Sequence, residues 1–337
     1  LNFANISFGG FISAKLIDLH NKQHDRKHDT NTVCDATILY LGGREKYKMP
    51  PKGDVPNNLK YTVESFLGKA EFEFDTKETS RTLYFKGKAK DQDVICDFHM
   101  DIPEGLENIT TVLPFKDMKS GFFMTTKQNC MPCGGTFKYG DEVWEFSKEN
   151  TFCALDWGRV NTPHRMVWYW GNGSTYLTDE EGKKHIFGFE ITWLIGDDSN
   201  ATETCLFYDG KAHKIGRVDV KEFPGKKGWT KPWEFVSEDG RFNLTLTPFY
   251  DDASGFIIKK LAGTKCHQAH GYYNGTVTLD EDEIPISLEP GHGFGIRSIV
   301  TFCEKNHAYY DFKVDDSFFA LRVSHALFAA SFRRSVV

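Results

Sequence analysis

Short stretches in which apolar and polar side chains alternate, cut by tight-turn dipeptides, are the feature that most restricts this chain. In Trp233-Glu-Phe-Val-Ser-Glu-Asp-Gly-Arg-Phe-Asn-Leu-Thr-Leu-Thr-Pro248, the apolar Phe242, Leu244 and Leu246 alternate with Asn243, Thr245 and Thr247. A period of two places one set on a covered face and the other toward water, which is the pattern of a strand. Asp239-Gly240, Asp209-Gly210 and Asn274-Gly275 offer the positive φ angles that hairpin turns require. The segments Leu59 to Phe66, Glu71 to Asp75, Thr82 to Lys86 and Val94 to Met100 repeat the alternation upstream. The expected fold is all-β: two antiparallel lipocalin-like barrel or sandwich halves. The Ala/Leu/Phe-rich Ser317 to Arg334 reads as a short C-terminal helix.

This pattern divides the chain into an atypical N-terminal segment (1–45), two barrel-like halves (46–150 and 151–299) and an atypical tail (300–337). His20, His24 and His28 recur every fourth residue, the spacing of an imidazole column on a helix. The surrounding Asp25, Arg26, Lys27 and Asp29 make that segment read as a solvated linker instead.

Charge and hydropathy exclude several functions. With 41 Lys+Arg against 47 Asp+Glu the net charge is −6, and no basic run is dense enough to neutralise a line of phosphates. No nucleic-acid partner is expected. No apolar run approaches the roughly 18 residues needed to span a bilayer, so no integral membrane segment is expected either. The 8 cysteines form no tight framework, and free buried thiols are expected, which favours the cytoplasm. Asn5, Asn108, Asn172, Asn200, Asn243 and Asn274 each head an Asn-x-Ser/Thr triplet, which favours secretion. The Asn-Gly members of that set also read simply as hairpin turns. The compartment and the oligomeric state stay open.

The densest chemistry lies between Phe152 and Asn172. Asp156, Arg159, His164, Arg165, Trp157, Trp168 and Trp170 fall within fifteen residues, and alternation puts Trp168 and Trp170 on one strand face. Two adjacent indoles line an apolar pocket or stack on a ring; equally, Asp156 and Arg159 form an ion pair beneath a Trp-rich core.

The run Leu155-Asp-Trp-Gly-Arg159 followed by Trp168-Tyr-Trp-Gly171 resembles the signature of the microbial and fungal proteins grouped as domain of unknown function 2804. Upstream, Val112-Leu-Pro-Phe115 and Thr126-Lys-Gln-Asn129 also resemble that family. Downstream, so do Thr202-Glu-Thr204, Asp209-Gly-Lys211, Lys231-Pro-Trp-Glu234, Leu246-Thr-Pro-Phe249 and His267-Gln268 with Gly271 and Gly275. The similarity covers roughly residues 55 to 290. This chain departs at Val160 and Asn161, where the family has Gly and an aromatic, and at Pro163, which leaves His164 without an assigned role. Cys130-Met-Pro-Cys133 stands where the family shows Leu-Pro; with no second CxxC and no βαβ pattern, its cysteines read as incidental. The resemblance implies a fold and a set of positions but no reaction. More distantly, the pattern is similar to two-barrel lipocalin-like proteins, among them carotenoid hydratases and cyclases, a fold-level analogy.

Three functions follow. The first is a small-molecule site with apolar walls, in which Asp156 or Glu203 is an acid and His267 a proton shuttle. Arg159, Arg165, Trp168, Trp170, Asn172, Trp193 and Gln268 would line it. The ligand is apolar or aromatic and the chemistry of hydratase or isomerase type. The second is carbohydrate binding or glycoside hydrolysis by Asp156 and Glu203 beside aromatic platforms. The third is a non-catalytic scaffold whose Trp168, Trp170, Trp193 and Trp233 fill the core. Metal ligation by Cys266, His267 and His270 lacks a tight signature, and no metal or cofactor is assigned.

Overall fold

The computed structural model is all-β. It describes residues 2–6, 9–17, 32–41, 58–65, 68–116, 118–161, 163, 167–179, 181–221, 229–258, 262–279, 286–288, 296–304 and 321–328. The strands are β1 (Asn2–Ile6), β2 (Gly9–Ile17), β3 (Thr32–Leu41), β4 (Asn58–Ser65), β5 (Gly68–Thr76), β6 (Ser80–Ala89) and β7 (Gln92–Asp101). Next come β8 (Ile109–Pro114), β9 (Phe122–Tyr139), β10 (Glu142–Phe146), β11 (Phe152–Asn161), β12 (Val167–Thr178), β13 (Lys184–Trp193), β14 (Cys205–Tyr208) and β15 (Lys211–Lys214). The last are β16 (Val218–Val220), β17 (Trp233–Ser237), β18 (Phe242–Ile258), β19 (Ala262–Val277), β20 (Ile286–Leu288), β21 (Ile296–Glu304) and β22 (Leu321–Phe328). No helix among the described residues is long and apolar enough to cross a membrane.

These strands form two sheets. The first runs β3-β2-β1-β22-β11-β9-β7-β6-β5-β4, with β8 and β10 also on β9; the second runs β15-β14-β13-β12-β21-β19-β18-β17-β16, with β20 on β19. The first sheet curls until its end strands, β3 and β4, touch, yet no hydrogen-bonded ladder joins them. Among the described residues both sheets are open paths, so the architecture is sandwich-like, and the closed barrels among the sequence expectations are not formed there.

Alternation explains the cores. Phe72 and Phe74 of β5 sit opposite Phe85 and Leu83 of β6, which sit opposite Cys96 and Phe98 of β7. With Ile12 and Ala14 of β2 and Leu155 and Trp157 of β11 they form one buried apolar cluster on the inner face of the first sheet. In the second sheet Phe187, Phe189, Ile191 and Trp193 of β13 pack on Trp233, Phe235, Phe242 and Leu244. Each such side chain, fully buried, contributes about 1.5–3 kcal/mol.

Three sequence expectations are corrected. The tail read as a helix supplies the strand β22, which lies parallel to both β1 and β11; between two strands that otherwise present open edges, its backbone groups find partners on both sides. Asn172-Gly173 and Asn274-Gly275 are not turns: β12 and β19 run straight through them. Gly275, at φ +136°, lets the backbone of Asn243 approach to where a Cβ would be, so it serves close strand contact rather than reversal. Asp209-Gly210 is the expected tight turn, with both φ values positive, between β14 and β15. The linker with His20, His24 and His28 lies outside the described residues.

Candidate functional site

A buried charged cluster occupies the seam between the two sheets. Its first half comes from β9 and β11. Lys127 and Asp156 are directly opposite each other in that antiparallel pair, so their side chains share a face. That face is turned away from the first core, because the neighbouring Leu155 and Trp157 point into it. Lys127 Nζ lies 2.8 Å from Asp156 Oδ1, and the side chains are only 2% and 5% exposed.

The second half comes from the other sheet. Asn172 of β12 is opposite Glu190 of β13, and Trp170 is opposite Thr192, so these four side chains share one face. The indole Nε1–H of Trp170 donates to Glu190 Oε2 at 2.7 Å, and Asn172 also hydrogen-bonds the Glu190 carboxyl. Lys127 Nζ lies 5.5 Å from the centroid of the Trp170 ring, within cation–π reach. Glu203 enters from the segment before β14, its Oε2 3.9 Å from Lys127 Nζ. Lys214 holds that segment in place by donating to the carbonyls of Thr202 and Thr204, both at 2.7 Å.

The Lys127 ammonium therefore faces three carboxyl groups in a place closed to water. Burial pushes the Glu190 carboxyl up to about 8, against the pull of Lys127 and with a push from Glu203, so it holds its proton at neutral pH. Burial raises Glu203 as well, partly offset by Lys127 and Lys214.

The two sheets are locked together beside this cluster. Asn129 Nδ2 donates to the carbonyls of Gly173 and Phe189 at 3.1 and 3.0 Å, and its Oδ1 accepts from the Ser174 hydroxyl at 2.7 Å. Gly188 makes the close approach feasible: a Cβ there would stand 2.3 Å from Cys130 Sγ and 2.7 Å from the Gly173 carbonyl oxygen.

The same seam continues sideways. Backbone register runs from Lys127 through Asp156 on β11, then across β22 and β1, to Ser13 on β2. In the second sheet it runs from Trp170 across β21 to Gln268 on β19 and Asp252 on β18. Lys15 of β2 closes the far end with an ion pair to Asp252. Gln268 is 1% exposed, and its Nε2 has no hydrogen-bond partner among the described residues.

Of the residues expected from sequence, Asp156, Glu203, Trp170 and Asn172 come together at Lys127. Trp168 is buried on the same face as Trp170, and Gln268 faces the same seam two strands away. His267 does not join them. It points to the opposite face of β19, where its Nδ1 lies 3.0 Å from Asp251 Oδ2 and its ring stacks on Trp229 at 4.3 Å. His270, three residues on, faces the other way, so the two imidazoles cannot ligate one ion. Trp193 stacks on Tyr169 at 4.7 Å within the second core, also away from the cluster. The side chain of Arg159, and the whole of His164 and Arg165, lie outside what the structure describes; among the described residues Asp156 pairs with Lys127. Cys130 and Cys133 are buried free thiols, with Cys130 pushed up to about 12 by burial. Among the described residues no group of three or more His, Cys, Asp or Glu side chains could hold a metal ion.

Lys127 and Glu190 were not singled out from sequence. On β13 the alternating Phe187, Phe189, Ile191 and Trp193 read as the covered face, which assigns Glu190 to solvent. Gly188 on the same side as Glu190 is the signal that this face is also covered. For Lys127, the signal is its place inside the quoted Thr126-Lys-Gln-Asn129.

Comparison with protein families resolves the relationship. The profile described as Domain of unknown function (DUF2804) matches residues 1–310. The chain belongs to this family. The DUF2804 match reaches back to residue 1, so the first 45 residues, which carry none of the quoted motifs, fall within it. Neither the curated proteins nor the solved structures gave a match.

Proposed function

We propose that this DUF2804 protein binds an apolar or aromatic small molecule at the seam between its sheets and transfers a proton to it, in chemistry of the hydratase or isomerase type. The observation that carries the reading is that three buried carboxyl groups gather around the ammonium of Lys127. A structural ion pair needs one carboxylate per lysine, and each surplus buried acid lowers stability. Such an arrangement serves a group whose protonation state matters.

The roles follow from the surroundings. Glu190, neutral at pH 7, is the proton donor, aimed by the Trp170 indole and by Asn172. Asp156, held against Lys127, is the fixed negative charge facing the cation that forms when an alkene or enol is protonated. Trp170 and Trp168 supply the apolar wall.

The experiment pairs a thermal-shift panel with two variants. Long apolar alkenes and enones are expected to raise the melting temperature, while oligosaccharides leave it unchanged. Asp156→Asn and Glu190→Gln are expected to stay folded and lose turnover. A panel in which only oligosaccharides stabilise would replace this reading with carbohydrate binding. No response to either class, with Asp156→Asn unfolded, would make the cluster a structural element of a scaffold.

A further inference from the structure

The first core contains a charged group that the seam chemistry does not use. Arg81 of β6 stands on the inward face of the first sheet, in register with Met100 and two residues before Leu83. It is 8% exposed. Its Nη1–H donates to the thioether of Met131 at 2.9 Å, and Nε has no hydrogen-bond partner among the described residues. Among the described residues, no carboxylate forms an ion pair with it.

This is costly. A guanidinium carries five donors and a full charge; a thioether is a weak acceptor and neutralises nothing. The other buried cation, Lys127, lies against carboxylates, and the half-buried Lys15 pairs with Asp252. Burial lowers the Arg81 guanidinium only to about 10, so it stays cationic at neutral pH. Its surroundings are apolar: Leu83, Phe98, Met100 and Met131, with the buried thiols of Cys133 and Cys153.

From this unpaired buried guanidinium within an apolar core, we infer that Arg81 is the head-group contact for an apolar monocarboxylate held by the first sheet. A carboxylate matches the fork of a guanidinium with two parallel hydrogen bonds and cancels its charge. A hydrocarbon tail suits the neighbours. Inorganic phosphate, by contrast, would surrender its hydration here with Arg81 as its only strong donor. This site is separate from the seam and does not depend on the function proposed for it.

The test uses the full chain and three probes: dodecanoate, dodecanol and inorganic phosphate. Dodecanoate is expected to raise the melting temperature, and the other two are not. In Arg81→Met, which replaces the buried charge with an apolar side chain of similar length, dodecanoate affinity should fall about tenfold or more, the loss of one charge-assisted pair. Without ligand that variant should melt at or above the wild type, because an uncompensated charge has gone. If Arg81→Met does not fold, wild-type protein with carboxyl-labelled dodecanoate decides by NMR: the bound carboxylate should stay ionised to lower pH than free dodecanoate. Equal stabilisation by dodecanol, stabilisation by phosphate alone, unchanged affinity in Arg81→Met, or a bound carboxyl titrating like the free acid would each overturn the inference.

Discussion

Lys127 and Asp156 face each other at 2.8 Å across two neighbouring strands, and the second sheet seals both from water. Removing the lysine should therefore cost more than a surface pair does. Lys127→Met leaves Asp156 and Glu203 buried without their cation, and the loss at neutral pH should be about 3–5 kcal/mol. The penalty should shrink in acid, where the carboxyls take up protons. Urea titrations at pH 5 and pH 7 measure both.

Glu190 makes stability depend on pH. Its carboxyl is at about 8 in the folded chain, well above an unfolded value near 4.5. Between those values the folded state binds more protons than the unfolded state, so stability falls as pH rises. The contribution is complete below about pH 4.5 and lost as pH passes through 8. Glu190→Gln should flatten that slope, as read from urea midpoints taken at half-unit intervals.

Gly188→Ala puts a methyl against Cys130 Sγ and the Gly173 carbonyl oxygen. The destabilisation should be about 1–3 kcal/mol, as for overpacking elsewhere. Combining it with Cys130→Ala should recover only part, because the backbone oxygen stays. Chemical denaturation of the single and double variants gives the comparison.

His267 and Asp251 lie on the far face of the second sheet, with the ring on Trp229. Asp251→Ala should cost about 1–3 kcal/mol by stranding a buried imidazole. Ligand affinity at the Lys127 cluster should not change. Calorimetric titration of the variant with whichever alkene stabilises the wild type would show it; a weakened affinity would place His267 within the same site.

Much of the fold was legible because one physical rule, alternation with period two, governs strands with a single covered face. The strands holding Phe72, Leu83 and Val94, and those holding Trp233 and Leu244, obey it. The rule fails where a sheet is covered on both sides, since polar residues there alternate just as solvent-facing ones do. Glu190 and Lys127 belong to that class. Asp156 and Glu203 were legible as acids but not as neighbours: 47 positions separate them, and Lys127 brings them together only once both sheets are in place. The Asn-Gly pairs misled for a related reason. At 275 glycine lets two backbones come close, and at 173 the strand simply runs on; sequence does not distinguish either use from a reversal. Ser317 to Arg334 has helical composition, yet β22 forms there because two strand edges await a partner.

The close approach of Gly188 to Cys130 Sγ and to the Gly173 carbonyl, with the three hydrogen bonds that Asn129 makes to the second sheet, holds the sheets together through main-chain oxygens, one thiol, one hydroxyl and one amide. Asp156, Glu190 and Trp170 take no part in those contacts. Substitution of those acids or of that indole should therefore leave the spacing between the two sheets unchanged.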